Sequence, residues 1–513
     1  MPWTPYVARL VREARCPVAP VFFHGQNSRA FQIASHLNVN LRLALFFHEV
    51  RRRIGTTFPI EIGEVAAFDL PVHGTLPEGL DGRYVRNGAN PQSGHSVHWF
   101  AGDGMLHGIR LRDGKAEWYR NRWVRTRALD GVDRMASGTF DLTVGLANTH
   151  VVRHAGRIFA LEEGSYPNEV TPELDTIGPC DFDGRLRTPF TAHPHMCPET
   201  GEMHFFGYEL VSAPFITYHV VDREGALVHT QPIEVGGPTM VHDFAISRNY
   251  AIFLDLPLVF DLDLAIKGTM PFSWSEAYGA RIGLLRRDRS GAAPRWFDIP
   301  LCYVFHIMNA WDDGADGRYV WLDAGRHATM WNGGPDKFDP CIMWRWRFDL
   351  LTGEVKEEAL DDVSHAFPRI DDRVTGFRNR YGWVVAPRDG GVRTDMEAPT
   401  GIVKYDLESG SRTFHDFGPT ALSGEPVFVP SRPDAAEDEG YLVTYVLDTA
   451  TASSSFVVLD AAGAGSTLGI ERLAYDGTAL PVTAEDLQTA QITTRDIDRG
   501  DHPHYLLKEI SES

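Results

Sequence analysis

From about residue 60 onward, short apolar runs alternate with turn dipeptides. HVVRHAGRIFAL, GEMHFFGYEL, ITYHVVDREGALVHTQPI, YAIFLDLPLVF, GRYVWLDAG, MWRWRFDLLTGEVKEEAL, GIVKYDLESGSRTFHDF and GYLVTYVLD are examples. Several of them read as a strand, a short turn containing Asp or Gly, and a second strand, which is a hairpin signature. The hairpins recur without a fixed period over roughly 400 residues, and convincing helices are few. Radial repetition absorbs that much all-β chain more readily than a sandwich does, so the pattern predicts a β-propeller. Two or more separate β-domains would give the same texture.

The two ends read differently. Segment 29–53 (RAFQIASHLNVNLRLALFFHEVRRR) has helical spacing and ends on the basic cluster Arg51, Arg52 and Arg53. It predicts a helix packed on the body or, on a sharper reading, a helix lying on an anionic membrane surface. Residues 1–58 are therefore set apart as a helical N-terminal extension, 59–462 as the β-propeller domain, and 463–513 as a divergent C-terminal tail that is polar and looser in pattern.

Composition narrows the classes. The chain has 513 residues and a formal charge of −20. That charge offers no basic stripe for phosphate, so nucleic acid is not an expected partner. The five cysteines, Cys16, Cys180, Cys197, Cys302 and Cys341, are scattered and odd in number, which argues against a disulfide framework and for a reducing compartment. The N-terminus has no clean signal peptide, and no apolar run is long enough to span a bilayer. A cytoplasmic location, with peripheral membrane contact as an option, is the expectation. Serines lack a G-x-S-x-G elbow, and the two GGP triplets lack the strand–helix context of a phosphate loop.

Three histidines stand in similar aromatic or apolar surroundings near predicted strand ends: His193 in PFTAHPHMCPETGEMHFFGY, His242 in GPTMVHDFAIS and His306 in CYVFHIMNAWDD. Each taken alone reads best as a hydrogen-bonded structural histidine. Their separations of 49 and 64 residues are each near one propeller blade. Equivalent inner positions of different blades meet on the axis, so the three could share one metal ion. Imidazole suits iron, copper, nickel and zinc.

The flanking residues resemble the carotenoid cleavage oxygenases, a family that includes the lignostilbene dioxygenases. The matching segments are LPVHGTLPEGLDGRYVRNGANP, HWFAGDGMLHGIRL, TAHPHMCPETGEMHFFGY, MVHDFAIS, YVFHIMNAWDD, FPRIDDR and GEPVFVPSRPDAAEDEGYLVTYVLD, in one order over residues 60–460. The resemblance implies a seven-bladed β-propeller with a dome of loops and helix over its top face. It implies Fe(II) held on the axis by four histidines, three of them oriented by glutamates. By motif, His193, His242 and His306 match three iron ligands, and Glu163 and Glu425 match two of the glutamates. His195 falls at a varied position and is read as a non-ligand. GDGM and RNGANP are read as turns.

Two departures stand out. Ala366, preceded by His365, occupies the place of the third glutamate. The expected late Gly-Phe-His-Gly turn is missing, and no histidine occurs between His415 and His502. His504 is taken as the candidate fourth ligand; a site of three histidines is the alternative. The implied activity is cleavage of a conjugated C=C bond by O2 into two carbonyl products. A carotenoid or apocarotenoid, an apolar polyene, is the first choice of substrate. A lignostilbene is the second, and a propeller without activity the third class. Stilbene-cleaving members commonly carry a lysine just before the first glutamate; Glu162 stands there instead.

Overall fold

The computed structural model describes residues 63–474 apart from 94–99, 101, 136–139, 268–269, 315–316, 335–336, 393–398, 452 and 464–466; residues 467–474 are described as backbone. The N-terminal extension, with its basic amphipathic segment, and the tail beyond 474, with His502 and His504, lie outside the described residues.

Seven antiparallel sheets follow one another along the chain. The third shows how the sequence makes a blade. It runs His195–Met196, Met203–Tyr208, Ile216–Val221 and Leu227–Ile233, each strand paired with the next. Ile216–Val221 (ITYHVV) is buried along its whole length, as expected of a central strand rich in β-branched and aromatic residues. The chain then reverses at Asp222, whose carboxylate accepts from the backbone N–H of Glu224 (3.1 Å) and Ala226 (2.8 Å). Gly225 completes the turn at φ +95°, a conformation that a residue with a Cβ adopts only with strain. The last strand, Leu227–Ile233, alternates buried and exposed positions, which suits a blade's outer edge.

Neighbouring blades pack face to face. Ile252, Leu254 and Ile282 of the fourth blade share one buried cluster with Ala310, Leu322, Trp346 and Phe348 of the fifth. Full burial of each large apolar side chain contributes about 2 kcal/mol, so a cluster shared by two blades ties them together. A two-stranded ribbon, Leu258–Phe260 with Phe272–Trp274, is inserted in the fourth blade. The single α-helix among the described residues, Leu262–Ile266, joins its strands and is capped by the Asp261 carboxylate.

The ring closes by mixing the two ends of the described chain. His73–Gly74 pairs with Thr467–Ala474, which pairs with Ser453–Asp460 and so completes the seventh blade. Paired strands thus continue past residue 462, into the stretch read as a divergent tail. The closing strand uses backbone hydrogen bonds, which need no family motif in TLGIERLA.

Candidate metal centre

The three histidines lie on or just before the first strands of three consecutive blades. His193 precedes His195–Met196, His242 precedes Ala245–Ile246, and His306 lies within Tyr303–Asp312. The ladder between Tyr303–Asp312 and Tyr319–His327 slips between Val304 and Ile307, so His306 sits in a bulge. A bulge re-aims a side chain without ending the strand.

The Nε2 atoms of His193 and His242 are 2.9 Å apart, and those of His242 and His306 are 3.2 Å apart. The ligand atoms of all three lie within 4.8 Å of one another. Burial, reinforced by the neighbouring imidazoles, holds His193 and His306 well below the usual histidine pKa, so both are neutral. On the far side of His242, Nδ1 donates to Oε1 of Glu163. That bond fixes the tautomer and leaves the Nε2 lone pair of His242 pointing at its two partners. Oε2 of Glu163 accepts from the hydroxyl of Tyr208 at 2.8 Å. Three neutral imidazoles converging on one point cannot all satisfy each other, whereas one cation satisfies all three. The donor set therefore fits a divalent first-row metal such as iron.

The surroundings hold this geometry. Phe305 packs edge-on to His242, with centroids 5.4 Å apart, and Phe367 lies 5.3 Å from His306. Phe367 takes φ +53°, an unusual value for an aromatic residue, at an irregular point of the sixth blade's first strand. His150, at the start of the second blade, donates from Nδ1 to the carbonyl of Ala192 at 2.9 Å and so supports the backbone next to His193. Asn87 donates to the carbonyls of Ala147 (2.8 Å) and His150 (3.1 Å). In GDGM, a Cβ on Gly104 would stand 2.1 Å from the Ala147 carbonyl oxygen, so this position must be glycine for the two segments to approach. The structure corrects the reading of both motifs as turns: Arg86–Ala89 of RNGANP belong to the strand Gly82–Ala89, and Gly104 and Met105 of GDGM open the strand Gly104–Arg112.

The remaining site expectations divide. Glu163 bonds Nδ1 of His242. His195 stays outside the cluster, bonded instead to Asp243 at 3.1 Å. Glu425 is largely covered, with 13% of its side chain exposed, but its hydrogen-bond partner is Arg369 at 3.1 Å and, among the described residues, it bonds no histidine. Burial pushes Glu425 up to about 7 against the pull of Arg369. Ala366 brings no carboxylate to His306, whose Nδ1 makes no hydrogen bond among the described residues. The preceding His365 is buried beside Gly325 and Cys341. Glu162 accepts from the backbone N–H of Gly164 at 3.1 Å. Sequence reasoning missed Tyr208, His150, Asp243 and Arg369. Asp243, adjacent to His242, Tyr208, closing GEMHFFGY, and Arg369, inside FPRIDDR, each lay within a matching segment.

Comparison with known proteins agrees with this geometry. The family model described as retinal pigment epithelial membrane protein matches residues 58–470. The carotenoid cleavage oxygenase of Mycobacterium tuberculosis is 37% identical over 453 residues, covering 78% of this chain and 90% of its own. The crystal structure of Pseudomonas brassicacearum lignostilbene dioxygenase superposes with a TM-score of 0.70 at 27% identity, over 82% of this chain and 94% of that one. Cobalt-substituted Synechocystis ACO gives a TM-score of 0.70 at 25% identity, over 82% and 95%.

Proposed function

The chain belongs to the carotenoid cleavage oxygenases, the family of the retinal pigment epithelial membrane protein, and from that premise we propose that it is an Fe(II)-dependent dioxygenase of apolar polyenes. The reaction is oxidative cleavage of one conjugated C=C bond of a carotenoid or apocarotenoid, with each oxygen atom of O2 ending in one of two carbonyl products. The observation that carries this reading is the convergence of His193, His242 and His306, with Glu163 fixing the tautomer of His242.

Iron bound there would supply the activation of O2 towards the double bond. The protein's own contribution is positioning and exclusion of water. His193, His242 and His306 offer neutral nitrogen donors, and His504 remains the candidate for a fourth. Glu163 offsets part of the metal's charge through His242, and Tyr208 keeps that carboxylate in place. Phe305 and Phe367 give the site an aromatic wall against which a polyene can lie. Glu425, paired with Arg369, is the second carboxylate proposed to support the centre. No helix among the described residues is long and apolar enough to cross a membrane. An apolar substrate would then be met at a membrane surface by peripheral contact, for which segment 29–53 is the candidate.

A stilbene is the second substrate reading, favoured by the likeness to the lignostilbene dioxygenase. Glu162 speaks against it, because a carboxylate does not stabilise a phenolate. The test is anaerobic loading with Fe(II), followed by metal analysis and chromatography of the products from apocarotenoids and stilbenes. Near-stoichiometric iron and polyene-derived aldehydes are expected. Failure to take up iron after anaerobic loading would overturn the reading and leave a propeller without this activity.

A further inference from the structure

Three blades must present their histidines in one register for the Nε2 atoms to meet. The geometry points to Asp243 as the positioning residue that sets this register, an inference that rests on the metal centre proposed above. Its carboxylate touches all three histidine-bearing segments. Asp243 itself follows His242. Its Oδ2 accepts the backbone N–H of Ile307, the residue after His306, at 2.8 Å. Its Oδ1 accepts from Nε2 of His195, two residues after His193, at 3.1 Å, and from the backbone N–H of Phe244 at 2.8 Å.

Asp243 is buried, with 4% of its surface exposed, so these bonds act in a medium that strengthens them. Two of them cross between blades, spanning 48 and 64 residues of sequence. The bond to Ile307 lands at the end of the bulge that aims His306. A carboxylate suits this place because it offers only acceptors, and all three partners are donors once His195 carries its proton on Nε2. An asparagine would turn one acceptor into a donor and oppose either Ile307 N–H or His195.

Asp243 touches neither metal nor substrate in this scheme. It acts through the spacing of the ligands, so its removal should show in metal affinity and ligand geometry before it shows in anything else. The experiment is titration of the full chain with Co(II), followed by its visible d–d absorption, for wild type, Asp243→Ala, Asp243→Asn and His195→Gln. Phe297→Leu, a buried position in Arg295–Asp298 at the edge of the fourth blade opposite Ala245–Ile246, controls for loss of stability. Asp243→Ala should weaken Co(II) binding roughly 10–100-fold, the range typical for groups that orient metal ligands, and should alter the d–d spectrum. Asp243→Asn should do the same to a smaller degree. The control should keep wild-type affinity and spectrum despite a lower melting temperature.

Wild-type affinity in Asp243→Ala would overturn the assignment while leaving the metal centre intact. If Asp243→Ala does not fold, Asp243→Asn and His195→Gln decide together: unchanged Co(II) affinity and spectrum in both would overturn the assignment. Absence of Co(II) binding by the wild type would overturn the metal centre and this inference together.

Discussion

Tyr208 donates its hydroxyl proton to Glu163 at 2.8 Å, and the other oxygen of the same carboxylate accepts from His242. The chain of contacts runs from phenol to carboxylate to imidazole and ends at the convergence point of three Nε2 atoms. Burial and the adjacent Glu163 hold the Tyr208 hydroxyl well above its ordinary pKa, so it remains a donor at any working pH.

Glu163→Gln should therefore lower iron occupancy. The neutral amide cannot offset the metal's charge and can present its NH2 to His242, which would favour the wrong tautomer. A loss of about 10–100-fold in metal affinity is expected, read as iron retained after dialysis against a graded chelator. Tyr208→Phe should give a smaller loss in the same direction, because Glu163 keeps its charge but loses one anchor. Equal iron retention by Glu163→Gln and wild type would count against the carboxylate's role.

Substrate choice should follow residue 162. With Glu162 in place, apocarotenoids should be cleaved faster than 4-hydroxystilbenes under the same conditions. Glu162→Lys should shift the ratio of kcat/KM towards the phenolic stilbene, since an ammonium favours a phenolate. Faster turnover of a resveratrol-like compound by the unmodified protein would reverse the ranking.

These features were not equally legible in the sequence. The propeller could be read from hairpin texture because alternation and turn residues are local signals. The three histidines could be grouped because blade spacing is a property of the whole chain. Tyr208, Asp243 and Arg369 escaped because each acts across blades, on Glu163, Ile307 and Glu425, at separations of 45, 64 and 56 residues. No local pattern encodes such a pairing. Glu425 meets Arg369 among the described residues, while the candidate late ligands His502 and His504 lie outside them.

Acid should destabilise the protein through its buried histidines as well as through the metal. Burial pushes His107 and His219 down to about 3 and His327 to about 4, against 6.5 in an unfolded chain. The unfolded state therefore binds more protons below pH 6.5, and folding stability falls as pH drops from there towards about 3. Each such group contributes a loss of about 1.4 kcal/mol per pH unit within that window. Chemical denaturation of the metal-free protein at pH 7, 6 and 5 should show this decline. His219 is bonded to the hydroxyls of Thr188 (2.9 Å) and Thr230 (3.0 Å), so His219→Gln can preserve some bonding while removing the titration. That variant should have the shallower slope; an identical slope would remove His219 from the account.

The last prediction concerns the fourth ligand position. The seventh blade is closed by Thr467–Ala474, so a chain ending at residue 474 should keep a cooperative thermal transition and near-native circular dichroism. If the tail serves the metal and not the fold, that truncation should lose iron while retaining structure. His504→Ala in the full chain should then reproduce the loss, and His502→Ala should leave iron content near the wild-type level. The logic is one of charge and coordination: three imidazoles already converge, and a fourth neutral donor raises affinity without altering the charge of the site. Retention of iron by both the truncated chain and His504→Ala would instead define a site of three histidines. In that event, placing a Gly-Phe-His-Gly turn after Ser453–Asp460 should raise iron affinity, because it returns a histidine to the place where the family motif carries one. A folded graft with unchanged iron affinity would show that this place does not face the convergence point of His193, His242 and His306.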